Sequence, residues 1–179
     1  MNKKLCNILA IDPSVSKTGY CIIKNNLKFG EKTFRDEEIE IKTFSPISKH
    51  KVERLDEIKK FFDKLVYNEN IDYIIIEGYS YGSKGRSIIT LGELGGVLRV
   101  SFYNNVKKFI EIPPTVWKKI LFNKGNLKKE HVLMKTFKKF NREFEDNNEC
   151  DAFCLGMVGQ KYFNDEIDEK TINKIGVLK

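Results

Sequence analysis

The sequence lacks several patterns that would place it in common protein classes. No apolar run approaches the roughly 18–20 residues that a membrane helix needs. Four cysteines occur among 179 residues, and none of them form a C-x-x-C pair, so neither a disulfide framework nor a paired-thiolate zinc site is expected. The first residues show no signal-peptide pattern. We therefore expect a cytoplasmic protein with reduced thiols.

Acidic residues are outnumbered, with 25 Asp and Glu against 32 Lys and Arg. The imbalance lies mainly between positions 107 and 142, where eleven basic residues face two acidic ones, Glu111 and Glu130. A basic face of this kind suits a phosphate backbone, although a lysine-rich solvated surface would have the same composition. The basic residues are Lys107, Lys108, Lys118, Lys119, Lys124, Lys128, Lys129, Lys135, Lys138, Lys139 and Arg142.

The length of 179 residues suits one domain with one core. We expect this domain to span residues 1–163, followed by a charged tail over residues 164–179 with one or two helical turns. Hydrophobic residues make up 41% and charged residues 32% of the chain, which is typical of a soluble globular protein with a charged surface.

Hydrophobic periodicity predicts an α/β fold. The expected elements are strands 6–12, 18–24 and 28–44 (the last with a polar bulge or loop near 30–38), helix 51–70, strand 71–77, helix 86–104, strand 107–112, and helices 115–122, 128–144 and one from near Glu149. Right-handed crossovers make the later strands parallel to the first. The prediction is a mixed five-stranded sheet, an antiparallel meander plus parallel strands, flanked by helices.

Three carboxylates stand where such a sheet would bring them together. Asp12 ends the first strand and Glu77 ends the strand after the first long helix, so both should emerge at the same carboxyl edge. Asp151 lies near the start of the last helix. Oxygen ligands suit Mg²⁺ or Mn²⁺, and two such ions about 3.5–4 Å apart can cleave a phosphodiester. Taken singly, each acid could instead start a turn, face water or complement a helix dipole.

Several short motifs occur together in a specific order. Ile-Asp-Pro-Ser-x-x-x-Thr-Gly-Tyr stands at positions 11–20, Ile-Ile-Ile-Glu at 74–77 and Glu-Cys-Asp-Ala-Phe-Cys-Leu-Gly at 149–156. Between them come Pro-x-x-Trp-Lys-Lys at 114–119 and Gly-Asn-x-Lys-Lys-Glu-x-Val at 125–132. Over roughly residues 7–160, this set resembles the RuvC family of Holliday junction resolvases. Departures at single positions point to the phage-type branch.

The resemblance implies a ribonuclease H-like fold, a homodimer, and paired nicks across a four-way DNA junction. It also implies two Mg²⁺ ions per active site, with Mn²⁺ as a substitute, and Asp12, Glu77 and Asp151 as catalytic metal ligands. Asn148 stands where the family commonly has Asp or His, so it is the expected fourth ligand. Glu149 and Asp146 remain alternatives for that position.

The resemblance also implies contacts with DNA and with a second subunit. Lys118 and Lys129 match basic positions near the scissile phosphate, and Lys129 is expected to stabilise charge there. Helix 86–104 would form the dimer face, because its glycines leave one side that another helix could approach closely. A base-stacking aromatic is expected after Glu77, and because the exact spacing falls on Ser80, Tyr79 or Tyr81 would take that role. The expected DNA-binding residues are Tyr79, Tyr81, Lys84, Arg86, Lys118, Lys119, Lys124, Lys128 and Lys129.

Two other functions remain open at this point. Asp-x-Ser-x-x-x-Thr-Gly at 12–19 also resembles the phosphate loop of sugar kinases and actin-like ATPases, although those proteins need two such domains around the nucleotide. A non-catalytic protein that binds DNA junctions is the second alternative. We predict a metal-dependent, structure-selective endodeoxyribonuclease that nicks Holliday junctions, with other branched DNA as further candidate substrates and with no nucleotide cofactor.

Overall fold

The computed structural model describes residues 7–24, 38–79, 86–103, 105 and 108–178. The strands are β1 (Asn7–Asp12), β2 (Thr18–Ile23), β3 (Ile39–Phe44), β4 (Ile71–Glu77), β5 (Lys108–Ile112) and β6 (Gly176–Val177). The helices are α1 (Lys51–Asn68), α2 (Arg86–Tyr103), α3 (Pro114–Phe122), α4 (Lys129–Phe140), α5 (Asn147–Phe163) and α6 (Glu169–Ile172). No helix in these described ranges combines the length and the apolar character needed to cross a membrane.

The strands form one mixed sheet in the order β3-β2-β1-β4-β5-β6. β1 is antiparallel to β2 and parallel to β4, and β4 is parallel to β5. β1 and β4 lie in the middle and are almost entirely apolar, because strands covered by helices on both faces have no polar side. The α/β prediction of a mixed sheet flanked by helices is confirmed.

Alternate residues of the central strands supply two separate cores. Ile8 and Ala10 of β1 belong to the core that α3, α4 and α5 cover, whereas Leu9 and Ile11 belong to the core under α1 and α2. This division follows from the two-residue period of a strand. Helix α5 is buried on nearly all sides from Cys150 to Gly159, which places its first turns against the middle of the sheet.

The structure differs from the predicted elements in several places. Helix α4 ends at Phe140 rather than near residue 144, because Asn141 takes up the left-handed conformation with φ 51° and caps it. The sheet has a sixth strand, where Val177 of β6 pairs with Ile110 of β5. Residues 28–37, which cover the first part of the predicted third strand and most of its polar bulge or loop, lie outside the described residues.

The segment after α5 adds more than the one or two helical turns that were expected. It contains α6 and β6, and it buries Ile167 and Ile175 in the core on the α5 side of the sheet. β6 lies against the β5 edge of the sheet and leaves fewer backbone groups of that edge unpaired.

Candidate active site

The first two carboxylates lie side by side at the carboxyl edge of the sheet. Ile11 of β1 is paired with Ile76 of β4 in parallel register, so the next residues, Asp12 and Glu77, emerge together. Asp12 is buried, with 8% of its surface exposed, and Glu77 is partly buried. Both line a cleft of about 280 Å³.

The third carboxylate is brought in by the start of α5. Asp146 caps this helix by accepting a hydrogen bond from the Glu149 backbone N–H at 3.0 Å, and it also pairs with Lys17. The Asn148 amide donates to the Lys17 backbone carbonyl at 2.9 Å. These bonds hold α5 against the β1–β2 turn, and Asp151 is thereby buried.

Gly19 of β2 allows this close approach. A Cβ atom at this position would overlap with the backbone carbonyl of Asn148. The Thr-Gly pair of the sequence motif therefore has a packing reason, because only glycine leaves room for the first turn of α5 over β2.

Burial raises the pKa values of all three acids, and neighbouring negative charges raise those of Asp12 and Asp151 further. Burial raises the pKa of Asp12 well above its usual range, and the charges of Glu77 and Asp151 raise it further. Burial and then the charge of Glu77 raise the pKa of Asp151 to about 7. Burial also raises the pKa of Glu77, against hydrogen bonds that lower it. Without a cation, the negative charges in the cleft are therefore poorly compensated.

These side chains fit a divalent cation by their chemistry. Oxygen donors of this kind suit hard cations such as Mg²⁺. In the described ranges, no group of three His, Cys, Asp or Glu side chains is arranged so that it could hold a metal ion as it stands. Asp12 and Glu77 lie close enough for a side-chain hydrogen bond to raise the pKa of Asp12 and lower that of Glu77, as for two neighbouring acids that share a proton.

Two lysines supply positive charge close to the acids. Lys129 begins α4 and lines the cleft, and its charge lowers the pKa values of Asp12, Glu77 and Asp151. Lys118 of α3 lowers the pKa values of Glu77 and Asp151. The structure thus places both lysines that the motifs singled out within electrostatic reach of the carboxylates.

Comparison with known proteins decides the family. A family model described as crossover junction endodeoxyribonuclease RuvC matches residues 8–158. The chain belongs to the RuvC family. The predicted resemblance and the predicted class of enzyme, a crossover junction endodeoxyribonuclease, are confirmed by this match, which also favours the nuclease over the nucleotide-binding alternative.

Individual relatives agree with this assignment. RuvC of Wolinella succinogenes is 28% identical over 154 residues, which cover 85% of this chain and 92% of the relative. RuvC of Aliarcobacter butzleri is 27% identical over 156 residues, which cover 84% and 96%. The structure of Thermus thermophilus RuvC in complex with a Holliday junction substrate has a TM-score of 0.69 at 12% identity, covering 96% of this chain and 99% of that one. At this identity, the structural likeness shows the RNase H-like fold alone.

Of the three candidates for the fourth ligand of a RuvC centre, Asn148 is the one placed at the cleft. The Asp146 carboxylate is engaged with Lys17 and with the helix N-terminus. The Glu149 carboxylate accepts the Glu145 backbone N–H at 3.0 Å. The side-chain nitrogen of Asn148 is held by the Lys17 backbone carbonyl, so its carbonyl oxygen is the atom suited to a cation.

The other predicted DNA-binding residues are distributed unevenly. Lys124 and Lys128 are exposed, and Lys128 occupies the position before the first residue of α4, directly before Lys129. Lys119 faces a different part of the surface. Its charge lowers the pKa of Asp168 at the start of α6. Tyr81 and Lys84 lie outside the described residues, and so does the side chain of Arg86.

The Tyr79 side chain packs against α2. Its hydroxyl accepts a hydrogen bond from Arg99 Nη1 at 2.6 Å and donates to the Gly92 carbonyl at 3.3 Å, and the guanidinium carbon lies 4.6 Å from its ring centroid. A Cβ atom on Gly95 would overlap with this hydroxyl. Glu111 fixes Arg99 in turn, accepting from its Nε at 3.0 Å. Arg99 therefore covers one face of the Tyr79 ring, and a base could stack on that face only if the ring left Arg99.

Sequence reasoning missed two residues that touch this site. Arg99 lines the cleft, and the available signal was that it is the one charged residue in the second half of α2. Trp117 donates a hydrogen bond from Nε1 to Glu77 Oε1 at 2.8 Å. The available signal there was that the chain has one tryptophan and that it directly precedes Lys118.

Proposed function

We propose that this protein cleaves four-way DNA junctions by divalent-metal-dependent hydrolysis of the phosphodiester backbone. The observation that carries the proposal is that Asp12, Glu77 and Asp151 lie close enough for their charges to act on one another, with Lys129 beside them. Holliday junction is the substrate named for the Thermus thermophilus protein, and the names of the bacterial relatives support the same class of substrate.

Asp12, Glu77 and Asp151 would hold two Mg²⁺ ions, with Mn²⁺ as a substitute and Asn148 as the fourth ligand. When bound, such ions activate water and stabilise the leaving oxygen in phosphodiester hydrolysis. The chain's own residues hold and place these groups. The buried strand ends fix Asp12 and Glu77, and the capped start of α5 fixes Asp151.

The lysines position the DNA. Lys118 and Lys129 place positive charge beside the carboxylates, where a scissile phosphate would be drawn in and the charge that develops on it would be stabilised. Lys124 and Lys128 extend this charge along the exposed surface, and they would bind the flanking backbone in a salt-dependent way. We place this activity in the cytoplasm of a bacterial cell, and a phage origin stays a prediction.

The deciding experiment compares substrates and metals. The wild-type protein should nick a synthetic four-way junction in Mg²⁺ or Mn²⁺ but not in EDTA, with a strong preference over linear duplex of the same sequence. Y-forks and flaps in the same gel define how broad this preference is. Equal cutting of duplex and junction would contradict structure selectivity, and metal-dependent binding without nicks would support the non-catalytic alternative.

We further propose that the active form is a homodimer joined through α2. Ile89, Gly96, Val100 and Tyr103 are exposed and spaced by seven, four and three residues, so they lie on one face of this helix. A Cβ atom on Gly92 or Gly96 would meet no other atom. An apolar stripe of this kind suits close helix–helix packing between two subunits.

A charge placed in this stripe should separate the subunits. We expect Val100→Asp to shift the mass measured by light scattering from dimer to monomer, because a carboxylate buried in an apolar interface costs several kcal/mol, of order 3 or more. Tyr67→Asp changes a large hydrophobic residue on α1 that is at least as exposed as Val100, and it should leave the mass unchanged. A wild-type monomer, or a dimeric Val100→Asp variant, would contradict this interface.

A further inference from the structure

Trp117 links the basic helix α3 to the carboxylate cluster. Its side chain is completely buried in the core on the α5 side of the sheet. The indole N–H nevertheless reaches out of that core to Glu77, with 2.8 Å between Nε1 and Oε1. A buried indole needs a partner for this one donor, and here the partner is the residue that ends β4.

The bond has a defined effect on Glu77. A hydrogen bond to a carboxylate favours its ionised form, and the bond from Trp117 is the largest influence that lowers the pKa of Glu77 against burial. A carboxylate has about four lone-pair sites on two oxygens. One indole bond at Oε1 therefore fixes the orientation of the group and leaves other lone pairs for Asp12 and for a cation.

The neighbouring Lys118 acts on the same unit. Its Nζ lies 5.1 Å from the centroid of the Trp117 ring, within the range of a cation–π contact. Its charge also favours ionised Glu77. The indole thus lies between a lysine suited to a phosphate and a carboxylate suited to a cation.

We propose that Trp117 is a positioning residue of the metal centre, which holds Glu77 by its N–H and keeps α3 in register with that ligand. The proposal rests on the proposed metal-dependent function and adds a group that does not itself touch the metal or the DNA. Outer partners of metal ligands typically change metal affinity by about 10- to 100-fold when they are lost.

Because the chain has one tryptophan, this proposal can be tested spectroscopically in the intact protein. Binding of Mg²⁺ to Glu77 would change the charge 2.8 Å from the indole nitrogen. Titration of the wild-type protein with Mg²⁺ should therefore change the intensity or wavelength of its tryptophan emission, with the same dissociation constant that calorimetry gives. Calorimetric binding without a change in emission would overturn the proposal.

A single-atom change separates positioning from packing. Expression in a tryptophan auxotroph supplied with 3-benzothienylalanine replaces the N–H of Trp117 by sulfur and keeps the bicyclic shape. We expect Mg²⁺ affinity, measured by calorimetry, to fall by about 10- to 100-fold. We also expect the pH at which Mg²⁺ binding is half-complete to rise, because Glu77 loses a bond that favours its ionised form. Trp117→Phe should have the same direction of effect.

The outcomes separate a failure of the positioning role of Trp117 from a failure of the proposed metal-dependent function. If the isostere-containing protein binds Mg²⁺ as the wild type does, with only its urea midpoint lowered, then Trp117 is a packing residue and the proposal is wrong. If the wild-type protein binds no Mg²⁺ in calorimetry, the proposed metal-dependent function fails as well. Reduced Mg²⁺ affinity with wild-type far-UV circular dichroism supports positioning.

Discussion

Asp12→Asn is expected to lower junction cleavage by about 1,000-fold or more while the protein still binds the junction. Asp12 is the most central of the three acids, since its pKa responds to Glu77, Asp151 and Lys129 together. A neutral amide there removes one of the charges that would hold the cations, and metal ions supply several kcal/mol to such reactions. The measurement is single-turnover cleavage of a labelled four-way junction.

Binding and folding should be preserved in this variant. The lysines that meet phosphate are untouched, and the change removes a negative charge from the cleft, so junction affinity in a gel-shift assay with Ca²⁺ should stay equal or rise. Asp72→Asn is the matched control, because Asp72 lies near the opposite end of β4. An Asp12→Asn variant that cleaves at the wild-type rate would remove Asp12 from the metal centre.

The positions of Asp12 and Glu77 followed from a general rule about sheets. Two buried strands that run parallel must end at one edge, and each of these ends in an acid. The rule needed only local periodicity and the handedness of the crossover. Asp151 required more, because a helix start can face many directions. The closeness of α5 to β2 depends on Gly19 and on the bonds from Asn148 and Asp146 to Lys17.

Other features depend on side-chain contacts that no local pattern encodes. The bond from Trp117 to Glu77 joins residues that are 40 positions apart in the sequence. The sequence motif contains the tryptophan, but nothing in the motif indicates that Glu77 is its partner. The position of the Tyr79 side chain depends on Arg99, on Glu111 and on glycine at position 95, where a Cβ atom would overlap with the Tyr79 hydroxyl. β6 has two residues, which is too short for an alternating pattern, so the sixth strand arises only from pairing with β5.

Asp151→Asn is expected to stabilise the metal-free protein at pH 8 by roughly 2–4 kcal/mol. The pKa of Asp151 is raised from 3.8 to about 7 by burial and by Glu77, and each unit corresponds to about 1.4 kcal/mol. Between these two pH values, the unfolded chain has lost the proton that the folded chain still holds. The free energy of unfolding contributed by this group therefore falls as the pH rises from about 4 to 7 and stays low above that.

This prediction has a distinct pH signature in urea unfolding. In EDTA, the wild-type protein should lose stability between about pH 4 and 7 through this site, and Asp12, whose pKa is also raised by burial, adds to the same trend. Asp151→Asn should match the wild type near pH 3, where the carboxyl group is mostly neutral in both states, and exceed it at pH 8. Glu149→Gln removes a charge from the same helix outside the cleft and should show no such gain.

Addition of Mg²⁺ should make the wild type more stable than the Asp151→Asn variant. A cation that binds the folded wild type raises its free energy of unfolding in proportion to the logarithm of the Mg²⁺ concentration above the dissociation constant. The Asp151→Asn variant lacks one ligand and should gain much less. If stability in EDTA is instead independent of pH between about 4 and 7 and Mg²⁺ leaves the stability of both proteins unchanged, Asp151 is neither a destabilising buried charge nor a metal ligand. If Asp151→Asn is more stable than the wild type at pH 8 in EDTA and Mg²⁺ removes this difference, the charge that destabilises the metal-free protein is the charge that binds the metal.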